Sequence, residues 1–568
     1  MHFKRHVSGL ISAAIILIAA FYADAQTRRD FDRPRTFDVQ HYLIRSSFDR
    51  VRRQVLGDTT ISLRPLNSSL RKVELDAVGL LFETIKLEPS ALDLHYTTAN
   101  GKVVITLDRA YDANELIVIR LRYKATPKKG VYFIDAETGK NAPNHSQQIW
   151  TQGEPDEARH WFPAFDFPSD KATTEQILTV QPDETVVGNG ELIKRSENAD
   201  GTVSWHYRMN VPHSTYLVSF VIGKYIRIGS TYKDIPLGFY TYPGRERTAM
   251  NAFGETKEMM RIFEELTGVD YPYNKYDQTI VAGFQFGGME NITATTLADT
   301  EVLALADLDF GRGIVRDLVA HELAHSWFGN LVTCRNWAEL WLNEGFATFM
   351  EAVYLEKVGG RDAYLSKVRG DAAQFLVSEE ISKKKHALYN QRADDVSSLF
   401  DNPAITYSKG GAVVHMLREQ VGNEAFWKAV NAYLNRHKYD NVETGDLKKA
   451  MEEASGQDLA WFFDQWVYGQ GAPKLDIRQT YSQRNKTLTL TVTQTHRSSA
   501  EIPAVFRLPM DVEITSGTGN KMVRPLDISK RLQTFTFKTE GRPTDVAIDP
   551  TAKIPLKTVK QSAIVVTK

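Results

Sequence analysis

The chain has 568 residues, of which 42% are hydrophobic and 24% are charged, as in ordinary globular proteins. Its 69 basic and 70 acidic residues give a net charge of -1, which does not indicate nucleic acid or an anionic surface as a partner. This length exceeds what one hydrophobic core supports, so about two to four domains are expected.

Residues 1–25 have the pattern of a secretory signal peptide. Lys4 and Arg5 precede the apolar run SGLISAAIILIAAFY, and an A-x-A sequence at 23–25 suits cleavage. The mature protein is therefore expected to begin at Gln26, to be exported to the periplasm or the extracellular medium, and to have no stable membrane insertion. An uncleaved membrane anchor is the alternative, although the run is short for a bilayer span.

Residues 26–224 are predicted to form an N-terminal β domain. The run IVIRLRY at 117–123 alternates apolar and polar residues, and similar short runs recur with turn residues between them. From residue 225 to residue 471 long helical patterns dominate instead, including 351–358 and 447–466. This middle part is expected to be a separate and mostly helical domain.

The middle part contains the sequence His321-Glu322-Leu323-Ala324-His325, followed 19 residues later by Glu344. Residues four apart lie on one face of a helix, so His321 and His325 can offer two imidazoles to one ion. With Glu344 as the third ligand, one tetrahedral zinc per chain keeps a position for water, as catalytic zinc sites do. Glu322 is rotated by about 100° from His321, so it can reach that water as a general base without binding the metal.

The residues around this motif favour a metal site over two ordinary core histidines. The segment GIVRDLVAHELAHSWFGN is otherwise mostly apolar, which predicts an interior helix. Burying two imidazoles and a carboxylate there is costly unless something pairs with them. Gly329 and Asn330 are expected to end the helix.

Cys334 is the only cysteine, so no intramolecular disulfide can form. It lies between the two metal-ligand segments and could be considered a ligand. We interpret it as a small buried apolar residue, because three better-spaced ligands are already present.

Residues 472–568 are predicted to form a C-terminal β-sandwich domain. Alternating runs return after Gly471, for example TLTLTVT at 487–493 and FRLPMDVEIT at 506–515. Pro509 indicates an edge strand, because proline cannot donate a hydrogen bond to a neighbouring strand.

Four sequence blocks in this order resemble peptidase family M1, the zinc aminopeptidases related to aminopeptidase N and leukotriene hydrolase. They are TQGEPDEARHWFPAFDFPSDKAT at 151–173, GGMEN at 287–291, the zinc segment at 321–349 and YSKGGAVVHML at 407–417. The resemblance implies a multidomain α+β fold with an N-terminal β-rich saddle domain, a thermolysin-like, mostly helical catalytic domain and a C-terminal β-sandwich. Many family members carry a further large helical domain. We expect this chain to lack that domain and the substrate contacts that it makes elsewhere.

The GGMEN block matches the family's G-x-M-E-N exopeptidase motif. In the family its Glu binds the free α-ammonium of the substrate and its strand backbone aligns the peptide, so the resemblance implies a substrate-binding role for Gly287, Gly288, Met289, Glu290 and Asn291. A carboxylate held at one distance from the metal admits only a chain end. Gly288 stands where many relatives have Ala.

The resemblance implies two further substrate contacts. Glu154 falls where relatives place a Glu or Gln that also holds the amino group, and Phe286 would line the pocket for the first side chain. An aromatic wall favours apolar or aromatic first residues. Two departures from the family pattern, Phe167 in the usual D-E-P triplet and Glu339 where Asp is common, are given no function.

Tyr407 begins the sequence YSKG, which matches the family's Y-x-K-G. There the phenol donates a hydrogen bond to the oxyanion that forms on the scissile carbonyl. The implied reaction is removal of the N-terminal residue from peptides with a free N-terminus. A zinc-activated water attacks, while Glu322 takes its proton and delivers it to the leaving amine.

Other functions stay open beside this one. A zinc endopeptidase would use the same metal site but would have no need of Glu290 and Glu154, and an epoxide hydrolase activity occurs in one relative. A catalytically inactive peptide-binding or assembly module is a different class, and such relatives typically lose metal ligands. His321, His325 and Glu344 are all retained here.

Overall fold

The computed structural model describes residues 31–138 and 144–568. The predicted signal peptide, with its cleavage site, lies outside these residues. Within the described ranges, no helix combines the length and the apolar character that a bilayer span requires.

The N-terminal part consists of strands, and its alternating sequences place one face of each strand in the core. In the strand that begins at Ile117, for example, Ile117, Ile119 and Leu121 are buried, whereas Val118 and Arg120 are only half-buried. The strands are β1 (Phe37–Asp49), β2 (Gln54–Pro65), β3 (Leu70–Asp76), β4 (Leu80–Glu88), β5 (Leu92–Asp93), β6 (His95–Ala99), β7 (Lys102–Tyr111), β8 (Ile117–Ala125), β9 (Val131–Ile134), β10 (Gln148–Thr151), β11 (Lys171–Val180), β12 (Thr185–Gly188), β13 (Glu191–Glu197), β14 (Val203–Ser214) and β15 (Phe220–Gly223).

These strands form three sheets. The largest has eight strands in the order β13-β14-β11-β1-β2-β8-β4-β5, in which β1 and β11 are parallel. The second has the order β3-β7-β6, and the third has the order β12-β15-β10-β9. The third sheet matters for the site, because Glu154 follows the end of β10 by three residues.

The middle part begins with a five-stranded sheet and continues with helices. The sheet has the order β16-β17-β18-β20-β19, and its edge strand β19 is formed by Gly288 and Met289 of the GGMEN block. The elements are β16 (Ile226–Tyr232), β17 (Ile235–Thr241), α1 (Glu246–Phe253), α2 (Thr256–Thr267), β18 (Tyr276–Val281), β19 (Gly288–Met289), β20 (Ala294–Ala298), α3 (Asp299–Leu305), α4 (Asp309–Ala324), β21 (Thr333–Cys334), α5 (Trp341–Ile381), α6 (Gly410–Val421), α7 (Asn423–Arg436), β22 (Asn441–Val442), α8 (Thr444–Ser455) and α9 (Ala460–Phe463), with π-helical turns at Ile405–Lys409 and Asp464–Tyr468.

Two helix ends differ from the sequence expectations. Helix α4 ends at Ala324 rather than at Gly329, because the N–H groups of Ser326 and Trp327 donate to carbonyls only three residues back and tighten the chain. The pattern at 447–466 is divided between α8 and α9, because Gly456 adopts a left-handed backbone with φ 69° and caps α8.

The C-terminal part consists of two mainly antiparallel sheets. Their strands bury alternating apolar residues, as predicted. One sheet has the order β27-β24-β23-β29 and the other the order β26-β25-β28. The strands are β23 (Lys474–Ser482), β24 (Thr487–Gln494), β25 (Leu508–Ser516), β26 (Lys521–Ile528), β27 (Leu532–Lys538), β28 (Pro543–Ile548) and β29 (Thr558–Thr567).

The prediction of an edge strand from Pro509 is wrong. Strand β25 is the central strand of its sheet. Its neighbour β28 pairs only with residues from Val512 onward, so Pro509 lies beyond that pairing and its missing N–H costs no ladder bond on that side.

Candidate active site

The three predicted metal ligands meet in the interior of the middle part. His321 lies in the last turn of α4, His325 is the first residue after it, and Glu344 lies in the first turn of α5. The Oε2 atom of Glu344 is 3.1 Å from Nε2 of His321 and 3.5 Å from Nε2 of His325. All three side chains are buried, and one donor atom from each lies within 4.8 Å of the others.

The second nitrogen of each imidazole has a hydrogen-bond acceptor. Nδ1 of His321 lies 2.7 Å from Oε1 of Glu351, and Nδ1 of His325 lies 2.9 Å from the carbonyl oxygen of Phe328. Each Nδ1 can therefore carry a proton, and each Nε2, once it is deprotonated, offers its lone pair to a metal ion beside Glu344. Two such imidazoles and one carboxylate are the donor set that zinc takes in catalytic sites, so the residues fit a zinc ion.

Glu351 was not singled out from the sequence as part of the site. Its spacing could have indicated a place near the site, because it follows Glu344 by seven residues in the same helix. Seven residues correspond to nearly two helical turns, which places both carboxylates on one face of α5.

The charges around the two histidines favour a cation at this position. Burial alone would lower the pKa of both imidazoles, but hydrogen bonds to Glu344 and Glu351 raise the pKa of His321. Glu290 and Glu344 likewise overcome burial and raise the pKa of His325 to about 9. Burial opposes ionisation of Glu344 too, yet the adjacent histidines lower its pKa to about 2. Positive charge is thus stabilised where a divalent ion would sit.

Zinc binding to the metal-free protein at pH 7 is expected to release protons. A pKa of about 9 for His325 means that its imidazole is protonated at pH 7, and it must lose this proton before Nε2 can bind metal. The zinc affinity should therefore rise by about tenfold per pH unit for each proton released between pH 6 and 8. Titration calorimetry in two buffers of different ionisation enthalpy measures this release, and identical heats in both buffers would contradict it.

Glu322 lies beside the metal ligands, with one oxygen within 4.8 Å of donor atoms of His325 and Glu290. It is buried, and within the described residues its Oε2 atom has no hydrogen-bond partner. Burial raises the pKa of Glu322 to about 8, although the two histidines act in the opposite direction. Its carboxylate rests against the backbone of Gly288, where a Cβ atom would collide with it. The absence of a side chain at residue 288 therefore leaves room for this carboxylate.

Glu154 and Glu290 form a second carboxylate group next to the metal ligands. Both are buried, and oxygen atoms of Glu154, Glu290 and Glu344 lie within 4.8 Å of one another. In the described part of the chain, the Oε1 atoms of Glu154 and Glu290 have no hydrogen-bond partner. Burial and the neighbouring carboxylates raise the pKa of Glu154. A cation with several N–H donors would satisfy this group.

The GGMEN residues divide into two sets. Gly287, Gly288 and Glu290 line the cleft. The side chains of Met289 and Asn291 are buried and form hydrogen bonds inside the protein. Sδ of Met289 accepts from Nε2 of Gln152 at 3.3 Å, and Nδ2 of Asn291 donates to Oγ1 of Thr296 at 3.0 Å. These two side chains hold the edge strand in place behind the cleft wall.

Asn330 supports Glu290 from the other side. Its Nδ2 atom donates to the carbonyl oxygen of Glu290 over 2.8 Å, and the backbone carbonyl of Asn330 accepts from Nζ of Lys171 at 3.2 Å. The turn after α4 is thereby joined both to the GGMEN block and to the first residue of β11. The sequence alone indicated Asn330 only as a helix-ending residue.

Tyr407 stands on the π-helical turn before α6, opposite His321. The two rings are nearly parallel, with centroids 5.9 Å apart. Burial and then the surrounding carboxylates raise the pKa of Tyr407, so its hydroxyl stays protonated and able to donate. The turn packs closely on α5 because Gly345 and Gly410 meet there: a Cβ on Gly410 would lie 2.9 Å from Cα of Gly345.

The cleft in front of these groups has a volume of about 1230 Å³. Phe286 lies on its wall with 47% of its surface exposed, and its ring centroid is 6.4 Å from that of Phe400. Cys334 is buried, as expected. None of the possible metal-binding groups found among the described residues includes it.

Three family models match the chain. The peptidase M1 N-terminal domain matches residues 38–217, the peptidase family M1 domain matches residues 251–466, and a domain of unknown function with an Ig-like fold matches residues 471–548. These matches agree with a β-rich N-terminal part, a helical catalytic part and a C-terminal β-sandwich.

Curated relatives are aminopeptidases from fungi, archaea and animals. Aminopeptidase 2 of Candida albicans is 30% identical over 435 residues, which are 74% of this chain and 46% of that protein. The alanine/arginine aminopeptidase of Saccharomyces cerevisiae is 28% identical over 508 residues, 85% of this chain and 57% of that protein. The probable aminopeptidase 1 of Sulfurisphaera tokodaii is 29% identical over 418 residues, 72% of this chain and 51% of that protein.

The chain thus spans about half the length of the curated relatives it matches. Its matched regions nevertheless include both M1 domains and every element that positions the buried His–Glu cluster. On these matches and this site, the chain belongs to peptidase family M1.

Proposed function

We propose that this protein is a zinc aminopeptidase that removes the N-terminal residue from peptides. One observation supports this function most directly. A His–His–Glu cluster that fits zinc lies next to the buried pair Glu154 and Glu290, whose unpartnered oxygens suit an ammonium group. A metal site and a cation site at this short separation select the first peptide bond of a chain.

Each residue of the site has a part in the proposed reaction. His321, His325 and Glu344 would hold one zinc ion per chain, which supplies Lewis acidity to polarise the scissile carbonyl and acidify water. Glu322 takes the proton of the attacking water and delivers it to the leaving amine. The Tyr407 hydroxyl donates a hydrogen bond to the carbonyl oxygen as that oxygen gains negative charge.

Glu290 and Glu154 hold the substrate's α-ammonium in this proposal. Two carboxylates that are buried together repel each other, and a bound ammonium relieves that repulsion while satisfying their free oxygens. An internal peptide segment offers no such charge. The pair therefore favours an aminopeptidase over a zinc endopeptidase on the same metal site.

The side chain of the first residue would lie against Phe286 and Phe400. Their exposed ring surfaces border the cleft, and aromatic walls favour apolar or aromatic side chains. We propose that such residues are preferred at the substrate's N-terminus.

Export is part of the proposal. The n-region, apolar run and A-x-A sequence within residues 1–25 support removal of a signal peptide and action on peptides in the periplasm or the extracellular medium.

Metal analysis combined with a panel of fluorogenic amino-acid amides tests the proposed function. We expect about one zinc per chain, loss of amide hydrolysis after removal of the metal by a chelator, and recovery when zinc is returned. Apolar and aromatic amides should be hydrolysed fastest. A purified protein that holds no zinc and hydrolyses none of the amides after zinc addition would contradict this function.

A further inference from the structure

Lys367 reaches the metal site from a distant part of the same helix. Lys367 follows Glu351 by sixteen positions, and in a straight α-helix the two residues would be about 24 Å apart along the axis. In the structure, Nζ of Lys367 lies 2.8 Å from Oε2 of Glu351. The contact forms because α5 is interrupted at Gly360, whose φ of 81° and ψ of -179° suit glycine almost alone, and the chain turns back there.

The contact links Lys367 to a metal ligand through one carboxylate. Oε1 of Glu351 accepts from Nδ1 of His321 at 2.7 Å, and Oε2 of the same group faces Lys367. Asp371, one turn after Lys367, holds the ammonium at 2.7 Å and 3.0 Å with its two oxygens. The result is a continuous chain from Asp371 through Lys367 and Glu351 to His321. Each of these side chains has less than a fifth of its surface exposed.

The ammonium of Lys367 is paired with carboxylates of the protein. A lysine has three N–H donors, and Lys367 has three acceptor oxygens within 3.0 Å, all on Glu351 and Asp371. Lys367 borders the cleft, yet no donor is left to bind a substrate carboxylate. Its contribution must therefore pass through Glu351.

The role of Glu351 explains what that contribution is. A carboxylate that accepts the Nδ1–H of a ligating histidine fixes the ring's orientation and tautomer, and such partners typically change metal affinity by about 10- to 100-fold. A carboxylate can hold a ring in place only if it is itself held. We propose that Lys367, anchored by Asp371, is a positioning residue that fixes Glu351 against His321 and thereby sets how tightly the site holds zinc.

The inference rests on the proposed zinc site, and its test measures zinc affinity directly. Metal-free wild-type protein and the variants Lys367→Met and Lys367→Arg are titrated with zinc in competition with a chromogenic chelator. We expect Lys367→Met to weaken zinc binding by about 10-fold or more. Lys367→Arg should recover most of the loss, because a guanidinium can still pair with Glu351. Wild-type affinity in Lys367→Met would overturn the inference.

Lys357→Met is the matched control. It removes a lysine from the same helix before Gly360, where Nζ pairs with Glu265 at 3.0 Å on the surface. Its zinc affinity should equal that of the wild type, and a loss equal to that of Lys367→Met would overturn a specific role for Lys367. Melting temperatures of the metal-free proteins separate lost affinity from lost folding.

A second variant decides the question if Lys367→Met does not yield folded protein. Asp371→Asn keeps the side-chain shape and Lys367 itself but weakens the anchor. An affinity loss of about threefold or more would support the inference, and wild-type affinity would overturn it. Failure of the wild type to bind zinc would contradict the proposed function instead, so the two failures are distinguishable.

Discussion

Replacing Glu322 with glutamine is expected to lower kcat by about 100-fold or more while the protein keeps about one zinc per chain. The amide has nearly the shape of the carboxylate, so the packing against Gly288 should survive. The amide cannot accept a proton from water, however. The variant therefore removes proton transfer by the side chain at residue 322. The measurement is kcat on an amino-acid amide, together with the zinc content of the same preparation.

The structure explains why this loss should affect kcat rather than zinc content. The Oε2 atom of Glu322 has no partner among the described residues. Glu322 is not part of the His321–His325–Glu344 group, although one of its oxygens lies within 4.8 Å of donor atoms of Glu290 and His325. Glu258→Gln is a suitable control, because Glu258 pairs with Arg261 on the exposed face of α2. A Glu322→Gln enzyme with the wild-type rate would remove Glu322 from the mechanism, whereas loss of zinc would place it among the ligands.

The part of the site that follows from local geometry could be predicted from the sequence. His321 and His325 are four residues apart in one helix, and that spacing alone places both rings on one face. The alternating runs likewise predicted strands in the N-terminal and C-terminal parts, because one face of each strand must be buried.

Contacts that depend on tertiary structure could not be predicted in this way. Lys367 meets Glu351 only because α5 turns back at Gly360, and a helical pattern does not reveal the direction of such a turn. The prediction that α4 extends to Gly329 was wrong. The sequence does not show that the N–H groups of Ser326 and Trp327 donate to carbonyls three residues back. The prediction from Pro509 was wrong for a related reason. The sequence of β25 does not show that its neighbour β28 pairs only with residues from Val512 onward.

Loss of the carboxylate at residue 290 is the second change with a large expected effect. In Glu290→Gln, kcat/KM for an amino-acid amide should fall by about 10- to 100-fold, the range expected when a hydrogen bond to a charged group is lost. Glu154→Gln should lower kcat/KM in the same way, because both carboxylates are proposed to contact the ammonium. Both variants keep the metal ligands, so their zinc content should match that of the wild type.

A double-mutant cycle shows whether the two carboxylates serve one ammonium. Glu154 and Glu290 have oxygen atoms within 4.8 Å of each other, so a single N-terminus can contact both. Residues that share a partner have non-additive effects, and the double variant should lose less than the sum of the two single losses in free energy. Additive losses would mean that each carboxylate acts on a different group.

N-acetylated substrates complete the test of the exopeptidase mechanism. Acetylation removes the positive charge that Glu154 and Glu290 would pair with and adds bulk next to these two carboxylates. The wild-type enzyme should therefore hydrolyse an N-acetylated peptide at least about 100-fold more slowly than the free peptide, a difference of about 2.7 kcal/mol in transition-state stabilisation. Equal rates on both peptides would show that recognition does not depend on the N-terminus, and the endopeptidase alternative would then hold.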